Sequence, residues 1–248
     1  MIHDTETANA FSTTAPLRNV SLCATALDIA VKRELHLPGM VVFHGPSGYG
    51  KSTAAAFVAN RHRAYYVEVK ANWTRRHLLG AILRQMGLPD ERGTIPQLID
   101  TISEQLVLSR RPLIIDEMDN VVDRHMVNVV EDIYRGSAAP ILMIGEERLP
   151  KKLERWEKFH GRVLEWVPAQ PVLLEDARHL RQLYVRKVEV ADDLLEHLVL
   201  IAEGSARRIV TNLDRIAQAT IAAGLARMDR ATWGERPLYT GKAPAARL

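Results

Sequence analysis

Residues 40–60 read MVVFHGPSGYGKSTAAAFVAN and decide the fold. The segment begins with an apolar run typical of a buried strand and ends with an alanine-rich run typical of a helix. The loop between them fits the pattern G-x-x-x-x-G-K-[ST] at Gly45, Gly50, Lys51 and Ser52. A loop of this pattern between a strand and a helix predicts the nucleotide site of a P-loop NTPase.

Each residue type in this loop has a chemical task. The glycines let successive backbone N–H groups turn toward phosphate oxygens, and Lys51 reaches the β- and γ-phosphates. The Ser52 hydroxyl ligates Mg²⁺, and the positive N-terminal end of the following helix points at the same phosphates. We therefore expect ATP and Mg²⁺ as cofactors. The nucleotide-binding residues expected in this loop are Gly45, Pro46, Ser47, Gly48, Tyr49, Gly50, Lys51, Ser52 and Thr53.

The composition is close to that of an ordinary soluble globular protein. The 248 residues, 47% of them hydrophobic and 25% charged, suit one α/β domain with a modest appendage. A net charge of +3 permits a polyanionic partner without requiring one. Cys23 is the only cysteine, which excludes an internal disulfide and favours a reducing compartment. The sequence has no secretory signal pattern and no apolar run of membrane-spanning length, so we expect a cytoplasmic protein with no membrane partner.

Four further segments, 64–69, 112–116, 140–144 and 162–167, are largely apolar and rich in β-branched or aromatic residues. Sequence with helical character separates each of them from the next. Continuous apolar strands that alternate with helices are typical of a parallel sheet covered on both faces. Together with residues 40–44, these segments predict an α/β fold with a five-stranded parallel sheet.

The pattern changes after Pro171. Three segments with helical periodicity follow, and we expect no further strand. The predicted organisation is a flexible tail at 1–16, an α/β ATPase core at 17–171, a small helical lid at 172–228 and an irregular tail at 229–248. Trp233 and Leu238 of the second tail either dock on a partner protein or pack back onto the lid.

A second motif, RRPLIIDEMDN at 110–120, ends a predicted strand with adjacent carboxylates. Ligands of doubly wound sheets bind at the carboxyl ends of the strands, where these side chains would lie. We expect Asp116 to hold Mg²⁺ through water and Glu117 to orient and deprotonate the attacking water. An Asp-Glu pair alone also fits an ordinary helix start, but its position after the phosphate-binding loop favours a hydrolytic site.

Both motifs and the helical lid resemble the AAA+ ATPase family over about residues 17–225. The resemblance implies that a residue after the fourth strand senses the γ-phosphate, which here is Glu146, where the family usually has Asn, Thr or Ser. It also implies an arginine finger acting on a neighbouring subunit, for which Arg162 is the candidate and Arg155 the second choice. The sensor arginine of the lid would be Arg207, adjacent to Arg208. A finger in trans implies a homo-oligomer, either a ring or a helical filament.

Within that family, ILMIGEERLPKKLERWEKFHGRVLEW at 141–166 and GSARRIVTNLDRIA at 204–217 resemble the DNA-transposition ATPases. These are relatives of the bacteriophage Mu transposition protein B and of transposon target-selection regulators. The resemblance implies ATP-dependent assembly on double-stranded DNA, delivery of that target DNA to a transposase in a bacterial host cell, and disassembly on hydrolysis. We expect little sequence preference, because no helix-turn-helix or zinc module that would read base edges is evident in the sequence. A helicase loader or a protein-only signalling switch of the same family, and a small-molecule P-loop kinase, remain alternatives.

The DNA-facing residues implied by that resemblance fall in VKANWTRRHLL at 69–79. Lys70, Arg75 and Arg76 would follow a phosphate backbone, with Trp73 packed beside it. The alternative is a solvated helix start with Trp73 buried in the core.

Overall fold

The computed structural model describes residues 15–89 and 93–241, which form two compact units. The first unit is Arg18–Pro171, and the second contains residues 172–241 together with 15–17. The predicted tail at 1–16 therefore falls almost entirely outside the described residues, as do residues 242–248 of the second predicted tail. In the described part of the chain, no helix is both long and apolar enough to cross a membrane.

The first unit is built on a parallel sheet of five strands in the order β2-β3-β4-β1-β5. This confirms the predicted fold class. Four of the strands begin one residue later than the sequence pattern indicated, and all are short. The strands are β1 (Met40–His44), β2 (Tyr65–Glu68), β3 (Leu113–Asp116), β4 (Ile141–Gly145) and β5 (Val163–Pro168).

Helices cover both faces of this sheet. α1 and α2 pack on one face, whereas α3, α4 and α6 enclose a large apolar core on the other. β3 and β4 are buried along their whole length, which explains their continuous apolar sequences. The helices of this unit are α1 (Arg18–Lys32), α2 (Lys51–His62), α3 (Arg75–Met86), α4 (Ile95–Ser109), α5 (Met118–Asp123), α6 (Val127–Ser137), α7 (Leu149–Leu153) and α8 (Glu157–His160).

The second unit is mainly helical. It contains α9 (Leu174–Tyr184), α10 (Asp192–Ala202), α11 (Ala206–Ala222) and α12 (Arg230–Trp233). The expectation that no strand follows Pro171 was wrong, because β6 (Glu189–Val190) and β7 (Arg227–Met228) form a short parallel pair. Two-residue strands carry too little sequence for their periodicity to be visible.

Residues 229–241 agree with the alternative in which the second tail packs back onto the lid. The short helix α12 buries Trp233, whose side chain is 5% exposed and whose Nε1 donates to the Arg236 carbonyl oxygen. Further along, Asn212 of α11 exchanges two hydrogen bonds with the backbone of Tyr239, at 2.9 and 2.6 Å. This segment therefore packs on the helices of its own unit.

Candidate nucleotide site

The loop between β1 and α2 has a conformation that depends on glycine. Gly48 and Gly50 have φ angles of 86° and 81°, a region that side chains with a Cβ rarely adopt. At Gly45 the reason is space, because a Cβ there would lie 2.8 Å from the Cβ of Ala169. The two glycines of the sequence pattern, Gly45 and Gly50, therefore meet real backbone requirements, and so does Gly48 at a variable position between them.

Lys51 is the first residue of α2, and its side chain folds back over this loop. Its Nζ donates to the carbonyl oxygens of Gly45 and Pro46 at 2.7 and 2.9 Å. Partial burial lowers the pKa of Lys51, while the nearby carboxylates of Asp116 and Glu117 act in the opposite direction. Phosphate oxygens are stronger acceptors for an ammonium group than carbonyl groups, so this arrangement fits a nucleoside triphosphate.

Asp116 ends β3 and is held through both of its carboxylate oxygens. Oδ1 accepts a hydrogen bond from the backbone N–H of Glu117, and Oδ2 accepts one from the hydroxyl of Tyr66, both at 2.8 Å. The residue is only 2% exposed. A buried carboxylate with this much support has a fixed orientation.

Glu117 follows in a left-handed conformation, with a φ angle of 57°, at the start of α5. Burial raises the pKa of Glu117, and the negative charges of Asp116, Asp119 and Glu146 raise it further. A raised pKa makes the carboxylate a better proton acceptor, which is the property required of a general base. Backbone strain next to a buried carboxylate is common at functional sites.

The oxygen donors of this site fit Mg²⁺. The exposed Ser52 hydroxyl and the Asp116 carboxylate are hard ligands, and Mg²⁺ usually takes few protein ligands beside water and substrate phosphates. Among the described residues, no group of three or more His, Cys, Asp or Glu side chains could hold a metal ion. Ser52 and Thr53 are both exposed on the first turn of α2.

Glu146 lies directly after β4 and is exposed. Its backbone N–H donates to Oδ2 of Asp119 at 2.6 Å, and Oδ1 of Asp119 lies 3.0 Å from Lys152 Nζ. Asp119 was not identified from the sequence, where it is simply the last acid of DEMD. Asp119 holds the backbone of Glu146 only because α5 packs against the loop after β4, and no sequence pattern shows that contact.

Comparison with known proteins agrees with this geometry. Residues 33–153 match the family model described as the AAA domain. The fold is that of an AAA+ ATPase. The match supports ATP hydrolysis as the activity of the chain. Among curated proteins, no sequence matches this chain significantly.

Solved structures with this fold include three with low sequence identity. The ORC2 protein of Aeropyrum pernix, in ADPNP-ADP complexes, is 16% identical with a TM-score of 0.69, and the alignment covers 91% of this chain and 68% of that one. Drosophila ORC bound to DNA is 15% identical, with a TM-score of 0.62 and coverage of 92% and 63%. The Aeropyrum pernix ORC1 protein in complex with DNA is 17% identical, with a TM-score of 0.61 and coverage of 86% and 62%. The chain thus spans about two thirds of the length of these proteins.

The two candidate finger arginines have different surroundings. Arg162 Nε lies 3.3 Å from the carboxylate of Glu131, so Arg162 is paired within its own subunit. Arg155 is exposed, and its guanidinium lies 6.0 Å from the ring centre of Trp156. Arg155 is the more available of the two for a neighbouring subunit.

Arg207 is in the first turn of α11, in the second unit. Ser205 caps this helix by accepting a hydrogen bond from the backbone N–H of Arg208, and the Arg208 guanidinium pairs with Glu203 at 2.6 Å. Arg207 is exposed. The capped helix start therefore leaves Arg207, rather than Arg208, as the arginine able to contact a ligand.

The residues expected to contact DNA lie together at the turn between β2 and α3. Lys70, Arg75 and Arg76 are exposed, whereas Trp73 is half-buried against the apolar core. Arg75 donates to the carbonyl oxygen of His125 at 3.5 Å, and Arg76 donates to that of Gly93. The placement of Trp73 agrees with the alternative of a packed helix start, but the three cations remain at the surface.

Proposed function

We propose that this chain is an ATP-dependent, oligomerising ATPase that binds double-stranded DNA and releases it on hydrolysis. One observation carries the ATPase part of the proposal: Lys51, Asp116 and Glu117 lie in one site at the carboxyl ends of β1 and β3, close enough for their charges to affect one another. A cation that holds phosphates and a basic carboxylate that activates water are the two parts that nucleotide hydrolysis requires.

The residues divide the chemistry among them. Lys51 and the N–H groups of the loop bind and polarise the phosphates, and Glu117 orients the attacking water and accepts its proton. Ser52 and Asp116 would hold Mg²⁺, which neutralises charge on the phosphates when bound.

Glu146 would contact the γ-phosphate or its water, with its backbone fixed by Asp119. Arg207 is proposed as the sensor arginine that contacts the nucleotide, as the family resemblance implies.

Assembly follows from the arginines that act between subunits. We propose Arg162 as the trans finger, in which case it must leave Glu131 when a neighbour with bound ATP presents its phosphates. Arg155 is the second candidate. Because ATP would join two subunits at each interface, the nucleotide state controls whether a ring or filament persists.

Binding to DNA is proposed through Lys70, Arg75 and Arg76, with Trp73 supporting the turn from the core side. Three exposed cations on one turn suit contacts to phosphates, which provide affinity without sequence information. Two of the solved structures with the same fold are bound to DNA, which supports a DNA-associated role for this chain. Repetition of the turn around an assembly would multiply weak contacts into cooperative binding.

The finer proposal is that the bound DNA is a transposition target and that the partner is a transposase. It rests on the sequence resemblance of residues 141–166 and 204–217 to transposition ATPases. A second candidate is an AAA+ regulator of the helicase-loader type. The solved structures share the fold over most of this chain, and two of them are bound to DNA, which supports the DNA-associated role that both candidates have in common.

Both candidate functions require ATP-dependent binding to duplex DNA. A pull-down on duplex DNA with ATP, with ADP and without nucleotide tests this shared property. We expect retention only with ATP. Addition of a transposase encoded beside the gene then separates them, because the finer proposal requires more strand transfer into the coated DNA. DNA binding that depends on ATP, without any stimulation of strand transfer, would favour the loading role.

A further inference from the structure

Tyr66 connects the edge strand β2 to the metal-binding end of β3. In the parallel register of these strands, Tyr66 lies opposite Ile114, and Asp116 follows two residues later on the same face. The long phenol side chain reaches that diagonal neighbour, and its hydroxyl donates to Asp116 Oδ2 at 2.8 Å.

This hydrogen bond restricts the Asp116 side chain. The backbone N–H of Glu117 already holds Oδ1. The hydrogen bond from the Tyr66 hydroxyl to Oδ2 then fixes how the plane of the carboxylate is turned. In a side chain that is 2% exposed, water offers little alternative support for Oδ2. Without the hydroxyl, one oxygen of the buried carboxylate would lose its partner.

The ring of Tyr66 is only partly packed in the core. It is half-buried and lines an open surface cleft of about 390 Å³, whose other polar lining residues are Asn60, Arg63, Gln85 and Arg111. Replacement by phenylalanine keeps the ring and its packing and removes only the hydrogen bond.

We propose that Tyr66 is a positioning residue that fixes the Asp116 carboxylate in the orientation needed for metal binding. The proposal rests on the proposed function, in which Asp116 holds Mg²⁺. It predicts that loss of the hydroxyl weakens metal binding, while the nucleotide, which contacts the loop after β1, still binds. Residues that orient metal ligands typically change metal affinity by about 10- to 100-fold when removed.

The test measures Mn²⁺ binding to the complex of the protein with ADP, from the loss of the free Mn²⁺ signal in electron paramagnetic resonance. Tyr66→Phe is compared with wild type, with Asp116→Asn and with Tyr65→Phe. Tyr65 is a matched control, because its hydroxyl accepts from Gln105 rather than contacting Asp116. ADP affinity without metal and the melting temperature are measured for every variant.

We expect Tyr66→Phe to weaken Mn²⁺ binding by about 10-fold, with metal-free ADP affinity unchanged and Tyr65→Phe like wild type. We also expect the double variant Tyr66→Phe/Asp116→Asn to bind Mn²⁺ no more weakly than Asp116→Asn alone, since the effect passes through Asp116. If the losses of Mn²⁺ affinity in the two single variants add up in the double variant, Tyr66 does not act through Asp116. If Tyr66→Phe and Tyr65→Phe weaken Mn²⁺ binding equally, the effect comes from packing and not from the hydrogen bond to Asp116. If only Asp116→Asn weakens Mn²⁺ binding, the proposal for Tyr66 is wrong, whereas the proposed metal site at Asp116 is supported. If no variant weakens it, the metal role of Asp116 is itself wrong.

Discussion

The backbone N–H of Glu146 donates a 2.6 Å hydrogen bond to Oδ2 of Asp119, which joins the loop after β4 to the helix that follows Glu117. Asp119 is 5% exposed, and Lys152 balances its charge through the other oxygen. The relationship requires glycine at 145, because a Cβ there would lie 2.5 Å from Asp119 Oδ2 and from Leu149 Cδ2. The predicted γ-phosphate sensor is therefore held by the element that carries the predicted general base.

Gly145→Ala tests this connection. The added methyl group must displace the Asp119 carboxylate or Leu149, and we expect a loss of about 1–3 kcal/mol in the free energy of unfolding, together with reduced ATP turnover. Gly161→Ala is the matched control, since its φ angle is −65° and the nearest atom to its Cβ would be 3.7 Å away. Chemical denaturation and steady-state hydrolysis measure both effects. Wild-type behaviour of Gly145→Ala would show that the Asp119 contact does not constrain the site.

Lys51→Ala and Glu117→Gln separate binding from hydrolysis. Lys51 stabilises phosphate charge in the bound state, so its loss should abolish ATP binding. Glu117 acts on water, so the isosteric amide should preserve ATP affinity and reduce turnover by about 100-fold or more. Calorimetric titration and a phosphate-release assay measure the two properties. Normal turnover in Glu117→Gln would remove this residue from the catalytic role.

The local motifs were predictable from the sequence, and the contacts between elements were not. The loop around Gly48 and Gly50 and the Asp-Glu pair after β3 are contiguous in the chain, so each carries its own pattern. The Tyr66–Asp116 hydrogen bond depends instead on the register of two strands, and the Asp119–Glu146 bond depends on packing across 27 residues. The sequence left open whether Trp233 packs onto the lid, because the four-residue helix that carries it is too short to show periodicity.

Mixing two inactive variants tests whether the active site is shared between subunits. Arg162→Ala lacks the proposed finger and Lys51→Ala lacks the phosphate cation, so an interface between one of each contains either a complete site or a doubly defective one. We expect ATP hydrolysis to return in the mixture. Arg155→Ala serves as the control, and we expect it to stay active alone. Co-assembly without any recovered hydrolysis would exclude Arg162 as the trans finger. If Arg155→Ala is inactive alone and regains hydrolysis when it is mixed with Lys51→Ala, the trans finger is Arg155.

The salt dependence of DNA binding tests the turn between β2 and α3. We expect the triple variant Lys70/Arg75/Arg76→Ala to bind DNA more weakly and to lose up to about 1 unit of log–log salt slope for each cation removed, with ATP affinity unchanged. The control is Arg61/Arg110/Arg135→Ala, which removes three exposed cations from other surfaces. An unchanged slope in the first variant, or equal changes in both, would place the DNA surface elsewhere.

The most direct test of the account is the DNA-binding isotherm of Glu117→Gln, measured with ATP and with ADP. This variant should hold ATP without hydrolysing it, so the assembled state should persist throughout the measurement. We predict cooperative binding to duplex DNA of unrelated sequences with ATP, and affinity lower by about 10-fold or more with ADP, because single subunits make few phosphate contacts. Equal affinity in the two nucleotide states, or no binding in either, would contradict an ATPase whose nucleotide controls its assembly on DNA.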